Sequence, residues 1–142
     1  MNEELYQKQI IELSKKADNS IHLDKAHCSC TVNNPLCGDR ITVELQLDGE
    51  KIKSIACQVR GCMLCKASAS VLSDTVSGMT FDQVKRTAFD LDQALKSSSD
   101  DTEYFPAEYR MFYPVRPRKS RHSCVMLPFD AIVKAISEYF KE

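Results

Sequence analysis

Between Glu3 and Lys16 the apolar positions Leu5, Tyr6, Ile10 and Leu13 recur near helical spacing, which predicts an amphipathic helix. From Ala26 the period changes to two. Ala26, Cys28, Cys30 and Val32 then fall on one face of a strand, with polar residues between them. The segment Asn33-Asn34-Pro35-Leu36-Cys37-Gly38-Asp39 is rich in turn formers and breaks that strand. Ile41, Val43, Leu45 and Leu47 alternate with Arg40, Thr42, Glu44 and Gln46 in a second strand. Asp48-Gly49 is a tight-hairpin signal, and Ile55, Cys57 and Val59 carry the alternation along the return strand. The pattern predicts a small antiparallel sheet with one buried face.

After Gly61 the periodicity becomes helical again. Cys62 to Val76 contains no Gly or Pro and predicts a helix that ends at Gly78. Thr80-x-x-Gln83 forms a capping box for the next helix, whose apolar stripe is Val84, Ala88, Leu91 and Leu95. Residues 97–101 read as a loop. Pro114 and Pro117 predict an extended run through residues 110–122. The last helix carries Ile132, Ala135, Ile136, Tyr139 and Phe140, with Pro128 expected in its first turn, where a missing N–H costs least. The expectation is a single α+β domain over residues 1–142: a three-stranded antiparallel sheet with helices packed on one face.

The chain has 142 residues, 43% of them apolar and 27% charged, enough to bury a core. No run of about 18 apolar residues exists, which excludes a helical membrane span. The N-terminus has no basic start followed by an apolar stretch, so the expected location is the cytoplasm. A net charge of −1 argues against general nucleic-acid binding. Charge is nevertheless segregated. Asp90, Asp92, Asp100, Asp101, Glu103 and Glu108 precede a stretch holding Arg110, Arg116, Arg118, Lys119 and Arg121. That basic stretch reads either as a solvated loop or as a docking face for an acidic partner.

Seven cysteines, with no secretory signal, argue for metal or sulfur chemistry over a disulfide framework. Cys28 and Cys30 share a strand face with Ala26 and Val32, which suits core packing or a ligand pair; Cys57, between Ile55 and Val59, suits packing. Cys37 lies in a turn, with Gly38 beside it and the Asp39 carboxylate two residues on. Cys62 stands at a helix N-terminus, where unpaired N–H groups favour thiolate. Cys65 follows one turn later, so Cys62 and Cys65 also form a C-x-x-C pair. Cys124 lies beside Arg121 and His122 at the start of the last helix. If the ends of these elements converge, Cys37, Cys62, Cys124 and Asp39 make a tetrahedral site of three sulfurs and one oxygen, suited to zinc or iron–sulfur species. Two rivals remain at this point: a structural zinc site of Cys28, Cys30, Cys62 and Cys65, and a thiol oxidoreductase using Cys62 and Cys65.

Three segments resemble one family. Asn34-Pro35-Leu36-Cys37-Gly38-Asp39-Arg40-Ile41 resembles the N-P-x-C-G-D-x-I loop of the IscU/NifU N-terminal-type iron–sulfur scaffold proteins. Gly61-Cys62-Met63-Leu64-Cys65-Lys66-Ala67-Ser68-Ala69-Ser70 resembles their G-C-x-x-x-x-A-S-A-S helix start, and Arg121 to Leu127 resembles their R-x-x-C-x-x-L motif. The long gap from Cys62 to Cys124 is similar to the SufU branch. IscU proper has a histidine immediately before its third cysteine; here that position is Ser123, and His122 stands one residue earlier. The resemblance implies a SufE/NifU-like fold and the ligand set Cys37, Asp39, Cys62 and Cys124. It implies zinc or a 2Fe–2S cluster as the group held, and a pyridoxal-phosphate cysteine desulfurase and recipient apo iron–sulfur proteins as partners. Function is then that of a cluster-assembly scaffold and sulfur acceptor, with a zinc-dependent sulfurtransferase as the alternative. Such a protein is a scaffold or carrier, and an enzyme only in the sulfurtransferase sense. Cys37 is the first choice for the thiol that receives persulfide sulfur, and Cys124 the second.

Overall fold

The alternating segments form one antiparallel sheet in the order β1-β2-β3, with β1 at Cys28–Asn34, β2 at Asp39–Asp48 and β3 at Lys51–Arg60. The computed structural model describes residues 3–17, 22–36, 38–98 and 105–140. Cys28 pairs with Leu45 and Asn34 with Asp39, so the first hairpin is tighter than the run of turn formers suggested. Asn33 and Asn34 still belong to β1, and Asp39 opens β2. Gly38, at φ +72°, donates its N–H to the Asn34 carbonyl and closes the turn; this left-handed backbone is open to glycine at no steric cost. Gly49 (φ +61°) takes the same left-handed backbone at the β2–β3 hairpin that Asp48-Gly49 predicted.

On β2, Ile41, Val43 and Leu45 are each 0% exposed, while the residues between them are at least partly solvated. The α-helices of the described residues lie on the side of that buried face. They are α1 (Glu3–Ala17), α2 (Met63–Thr75), α3 (Phe81–Lys96) and α4 (His122–Tyr139), with α2 and α4 directly against the sheet. α4 packs on β1 and β2, α2 packs on β3 and α4, α1 packs on α2, and α3 on α4. The α+β expectation and the single helical layer hold. Thr80 and Gln83 make both bonds of the predicted capping box.

The A-S-A-S segment explains how α2 sits at the centre of the helical layer. Ala67 and Ala69 are buried and small enough to let neighbouring helices approach. Ser68 Oγ donates to the Val125 carbonyl of α4 at 2.6 Å, and Ser70 Oγ donates to the Leu13 carbonyl of α1 at 2.6 Å. Each buried hydroxyl thus offsets its desolvation by tying α2 to a partner helix.

Two expectations fail. The segment around Pro114 is not extended: Ala107–Val115 and Lys119–Arg121 are 3₁₀ helices. Tyr109, Phe112 and Val115 are buried there, and packing those side chains requires the tighter turn. Pro128 is not in the first turn of the last helix, because α4 begins six residues earlier, at His122. An interior proline costs about 3 kcal/mol. Burial of Val125, Leu127, Phe129 and Ile132 on the same helix offsets it, at about 1.5–3 kcal/mol for each large side chain. The early start has a consequence for chemistry, since it places Cys124 in the first turn. Among the described residues, no helix is long and apolar enough to cross a membrane.

Candidate functional site

The end of β1, the start of β2, the end of β3 and the N-termini of α2 and α4 meet at one end of the sheet. Asp39, the first residue of β2, is 1% exposed. Its Oδ1 accepts the Cys62 backbone N–H at 2.8 Å, and its Oδ2 lies 3.7 Å from the Cys62 thiol. Gly61 makes this approach possible. A Cβ at that position would stand 2.9 Å from Asp39 Cγ and 3.0 Å from Asp39 Cβ, so no other residue fits without displacing the carboxylate.

Cys62 is the N-cap of α2, in extended backbone, and its Sγ accepts the Cys65 N–H at 3.5 Å. The sulfur therefore occupies the place of a capping oxygen, beside the positive end of the helix dipole. Cys124 is the third residue of α4 and is 0% exposed. Neither helix carries an acid in its first turn. Both sulfurs thus lie where a helix start leaves backbone N–H groups without intrahelical partners.

The Asp39 carboxylate and the Cys62 and Cys124 sulfurs all lie within 4.8 Å of one another. Two thiolates and a carboxylate at that separation can reach one ion at the bond lengths of zinc, about 2.3 Å to sulfur and about 2.0–2.2 Å to oxygen. The donor chemistry fits zinc or iron and does not fit magnesium or calcium, which take oxygen.

Of the residues expected at the site, Asp39, Cys62 and Cys124 are brought together, and Cys37 lies outside the described residues. The other thiols stand apart. Cys30 pairs with Val43 in the register, four strand positions from Asp39 or about 13 Å along the strand. Cys28 lies farther still, opposite Leu45. The structural zinc site of Cys28, Cys30, Cys62 and Cys65 is thereby excluded. Burial raises the pKa of Cys28 and Cys30, and pushes Cys57 up to about 11 even though the Ser73 hydroxyl donates to its sulfur. Cys65 is 0% exposed and packs in the core.

His122 does not point a free ring nitrogen at the sulfurs from its Nε2 side. That atom sits 2.9 Å from the Arg116 carbonyl and must donate to it. The neighbouring Ser123 is used instead by Asn34, a residue of the sequence motif whose role the local pattern does not reveal. Asn34 is 5% exposed; its Nδ2 donates to Ser123 Oγ at 3.0 Å and lies 3.8 Å from Cys124 Sγ. Its Oδ1 accepts the Leu36 N–H at 3.2 Å. One side chain therefore locks the β1–β2 turn to the first turn of α4. An asparagine immediately before a proline at a strand end was the available signal. Around the site, Leu36 is 78% and Met63 47% exposed, large values for apolar side chains beside buried ligands.

The family model described as the NifU-like N-terminal domain matches residues 5–142. The chain is 26% identical to the iron–sulfur cluster assembly scaffold protein IscU of Streptococcus pyogenes serotype M1, over 93% of this chain and 82% of that protein. It is 23% identical to the zinc-dependent sulfurtransferase SufU of Bacillus subtilis strain 168, over 75% of this chain and 73% of that protein. The crystal structure of a nitrogen-fixing NifU-like protein (N-terminal) from Brucella abortus superposes with a TM-score of 0.83 at 29% identity, covering 94% of this chain and 93% of that one. The three motifs, the fold that joins them and the match along nearly the whole sequence agree: this chain belongs to the NifU-like N-terminal domain family.

Proposed function

We propose that this chain is an iron–sulfur cluster assembly scaffold and sulfur acceptor, using Asp39, Cys62 and Cys124 with Cys37 as the fourth ligand. The observation that carries the reading is the convergence of one buried carboxylate and two helix-terminal thiols from three separate elements within 4.8 Å. Cys37 precedes Asp39 by two positions in the same turn-forming motif, and supplies the thiolate that completes a four-coordinate set. The carboxylate is the hard, weak donor of that set, suited to a site that loads and releases cargo.

The roles of the residues follow from their surroundings. Asp39 orients the start of α2 through the Cys62 N–H. Cys62 is partly exposed and faces an incoming sulfur donor; Cys124 is covered and anchors the inner side. Persulfide sulfur is accepted by Cys37, the first choice from the sequence, or by Cys62, the described site thiol that a donor can reach, and the burial of Cys124 argues against it as the direct acceptor. The donor is a pyridoxal-phosphate cysteine desulfurase, and recipients are apo iron–sulfur proteins. The exposed Leu36 and Met63 and the basic 3₁₀ segment around Arg118 and Lys119 offer an apolar and cationic face to such partners. The compartment is reducing, as in the cytoplasm, because free thiols are what the site works with.

A second reading, a zinc-dependent sulfurtransferase, is favoured by Ser123 standing where IscU proper has a histidine. In that case the same residues hold zinc, which keeps the thiols deprotonated at neutral pH. Metal analysis with a visible absorption spectrum of protein purified without air separates the readings. Bound iron, acid-labile sulfide and brown colour mark the scaffold; a colourless protein holding zinc marks the sulfurtransferase. Absence of both metals, or metal retained in Cys62→Ala and lost in Cys30→Ala, overturns the assignment of the site.

A further inference from the structure

The two sulfurs that converge on Asp39 differ in access. Cys62 is partly exposed at the tip of α2, whereas Cys124 is 0% exposed behind it, with the sulfurs no more than 4.8 Å apart. A disulfide bond needs about 2.0 Å between sulfurs. Closing the difference requires the Cys62 side chain to leave two long contacts, the Cys65 N–H at 3.5 Å and the Asp39 carboxylate at 3.7 Å. An outer thiol that a partner can reach, backed by an inner thiol that it cannot, is the arrangement of an acceptor and a resolving cysteine.

We infer that Cys62 and Cys124 expel sulfide from a delivered persulfide by forming a disulfide with each other. The inference rests on the reading above that this site receives persulfide sulfur, and it assigns the route by which that sulfur becomes sulfide. With the persulfide on Cys62, the Cys124 sulfur attacks Cys62 Sγ. The Cys62–Cys124 bond forms as the bond to the outer sulfur breaks, and that sulfur leaves with the bonding electron pair as hydrosulfide. The two electrons that reduce it come from the Cys124 sulfur, so the two protein sulfurs end as a disulfide. The proton of the attacking thiol leaves with the displaced sulfur, so that a thiol and a persulfide become a disulfide and hydrogen sulfide. A dithiol reductant then returns the pair to thiols by exchange.

The surroundings fit this division of labour. The Asn34 amide lies 3.8 Å from Cys124 Sγ and fixes the inner sulfur beside the first turn of α4. Asp39 stands 3.7 Å from Cys62 Sγ, where the hydrosulfide departs. Cys65 is three residues from Cys62, yet it lies outside the Asp39–Cys62–Cys124 cluster and is packed in the core.

The test loads metal-free protein with sulfur from inorganic polysulfide, removes the excess, and follows sulfide release together with peptide mapping under non-reducing conditions. The wild-type protein is expected to release sulfide without added reductant and to yield a peptide cross-linked through Cys62 and Cys124. Cys124→Ser is expected to keep a Cys62 peptide one sulfur heavier and to release sulfide at the level of the protein-free blank. Cys65→Ser is expected to behave as wild type. A wild-type cross-link from Cys62 to Cys65 or to Cys37 overturns the inference, as does undiminished release from Cys124→Ser. The wild-type cross-link is decisive even if the buried Cys124 position does not tolerate serine. Chemical loading separates this claim from the one it rests on: failure of a cysteine desulfurase to load the protein counts against the sulfur-acceptor reading, while the polysulfide result still decides whether the pair resolves a persulfide.

Discussion

The cysteines of the sheet and the cysteines at the helix starts are the same side chain under opposite rules. Cys28, Cys30 and Cys57 sit within strands, where the backbone N–H groups are committed to the ladder and the sulfur meets mainly apolar neighbours. Burial there disfavours the thiolate, and Cys30 donates its proton toward the Thr31 carbonyl. Cys62 and Cys124 occupy first turns, where a helix leaves four N–H groups without intrahelical partners. Their sulfurs accept from the Cys65 N–H and the Asn34 amide. What separates the in-strand thiols from those at the proposed site is which N–H donors remain unspent beside the sulfur.

The largest effect that tests this contrast is on metal binding. Cys62→Ala is expected to abolish it, with an affinity loss beyond the roughly 100-fold that even outer-shell changes produce. Cys57→Ala is expected to leave metal per chain unchanged. Equilibrium competition against a chelator measures both. Retained binding in Cys62→Ala, or loss in Cys57→Ala, breaks the division between the two groups.

The in-strand thiol makes its own prediction through pH. Burial holds Cys57 protonated up to about 11, against an ordinary value of 9.0 in the unfolded chain. Above pH 9 the unfolded state therefore loses the proton first, and stability falls as pH rises toward 11. The contribution is complete below the unfolded value and is worth about 2–3 kcal/mol, because each tenfold difference in proton affinity between the folded and unfolded chains is about 1.4 kcal/mol. Urea unfolding of wild type and Cys57→Ala is expected to show a wild-type advantage that shrinks between about pH 8.5 and 11. The buried Tyr109 hydroxyl is also held protonated and feels the charge of Cys57, so both proteins are compared in a Tyr109→Phe background. A constant difference across the window removes the claim that this site penalises a thiolate.

The alternation of Ile41, Val43 and Leu45 and the Thr80–Gln83 box made the sheet and α3 legible, because period and capping are local properties. Asp39, Cys62 and Cys124 were legible as element ends, and their meeting was conditional on packing that no local pattern encodes. Pro114 and Pro128 mislead for the same reason. Proline restricts φ and removes a donor, yet the burial of Phe112 and Phe129 decides the backbone. Asn34 escapes notice because a turn-forming asparagine has a sufficient local explanation. Its bond to Ser123 spans 89 positions of sequence.

Gly61 sharpens the comparison without touching a sulfur. Gly61→Ala inserts a methyl group into the space of the Asp39 carboxylate, an overpacking worth about 1–3 kcal/mol. Metal affinity is expected to fall by about 10–100-fold as the carboxylate is displaced, since this is an outer-shell change. Calorimetry of the metal-free protein and chelator competition of the loaded one read the two effects separately. If both stay at wild-type values, Asp39 is not held where the ligand set needs it.

The smallest expected effect belongs to Asn34, and it isolates positioning from ligation. Asn34→Ala removes the bonds to Ser123 and Leu36, which cost about 1 kcal/mol net each. All four proposed ligand side chains remain, so metal is still expected to bind, about tenfold more weakly, as for the loss of an outer-shell hydrogen bond. The informative control is Ser123→Ala, which removes the acceptor on α4 while leaving the Asn34 amide free to face Cys124. If Asn34 acts through the Cys124 sulfur, Ser123→Ala weakens metal binding less than Asn34→Ala even where the two lose similar stability. Equal losses of affinity would mean that Asn34 merely fastens the β1–β2 turn to α4, and that the first turn of α4 alone governs Cys124.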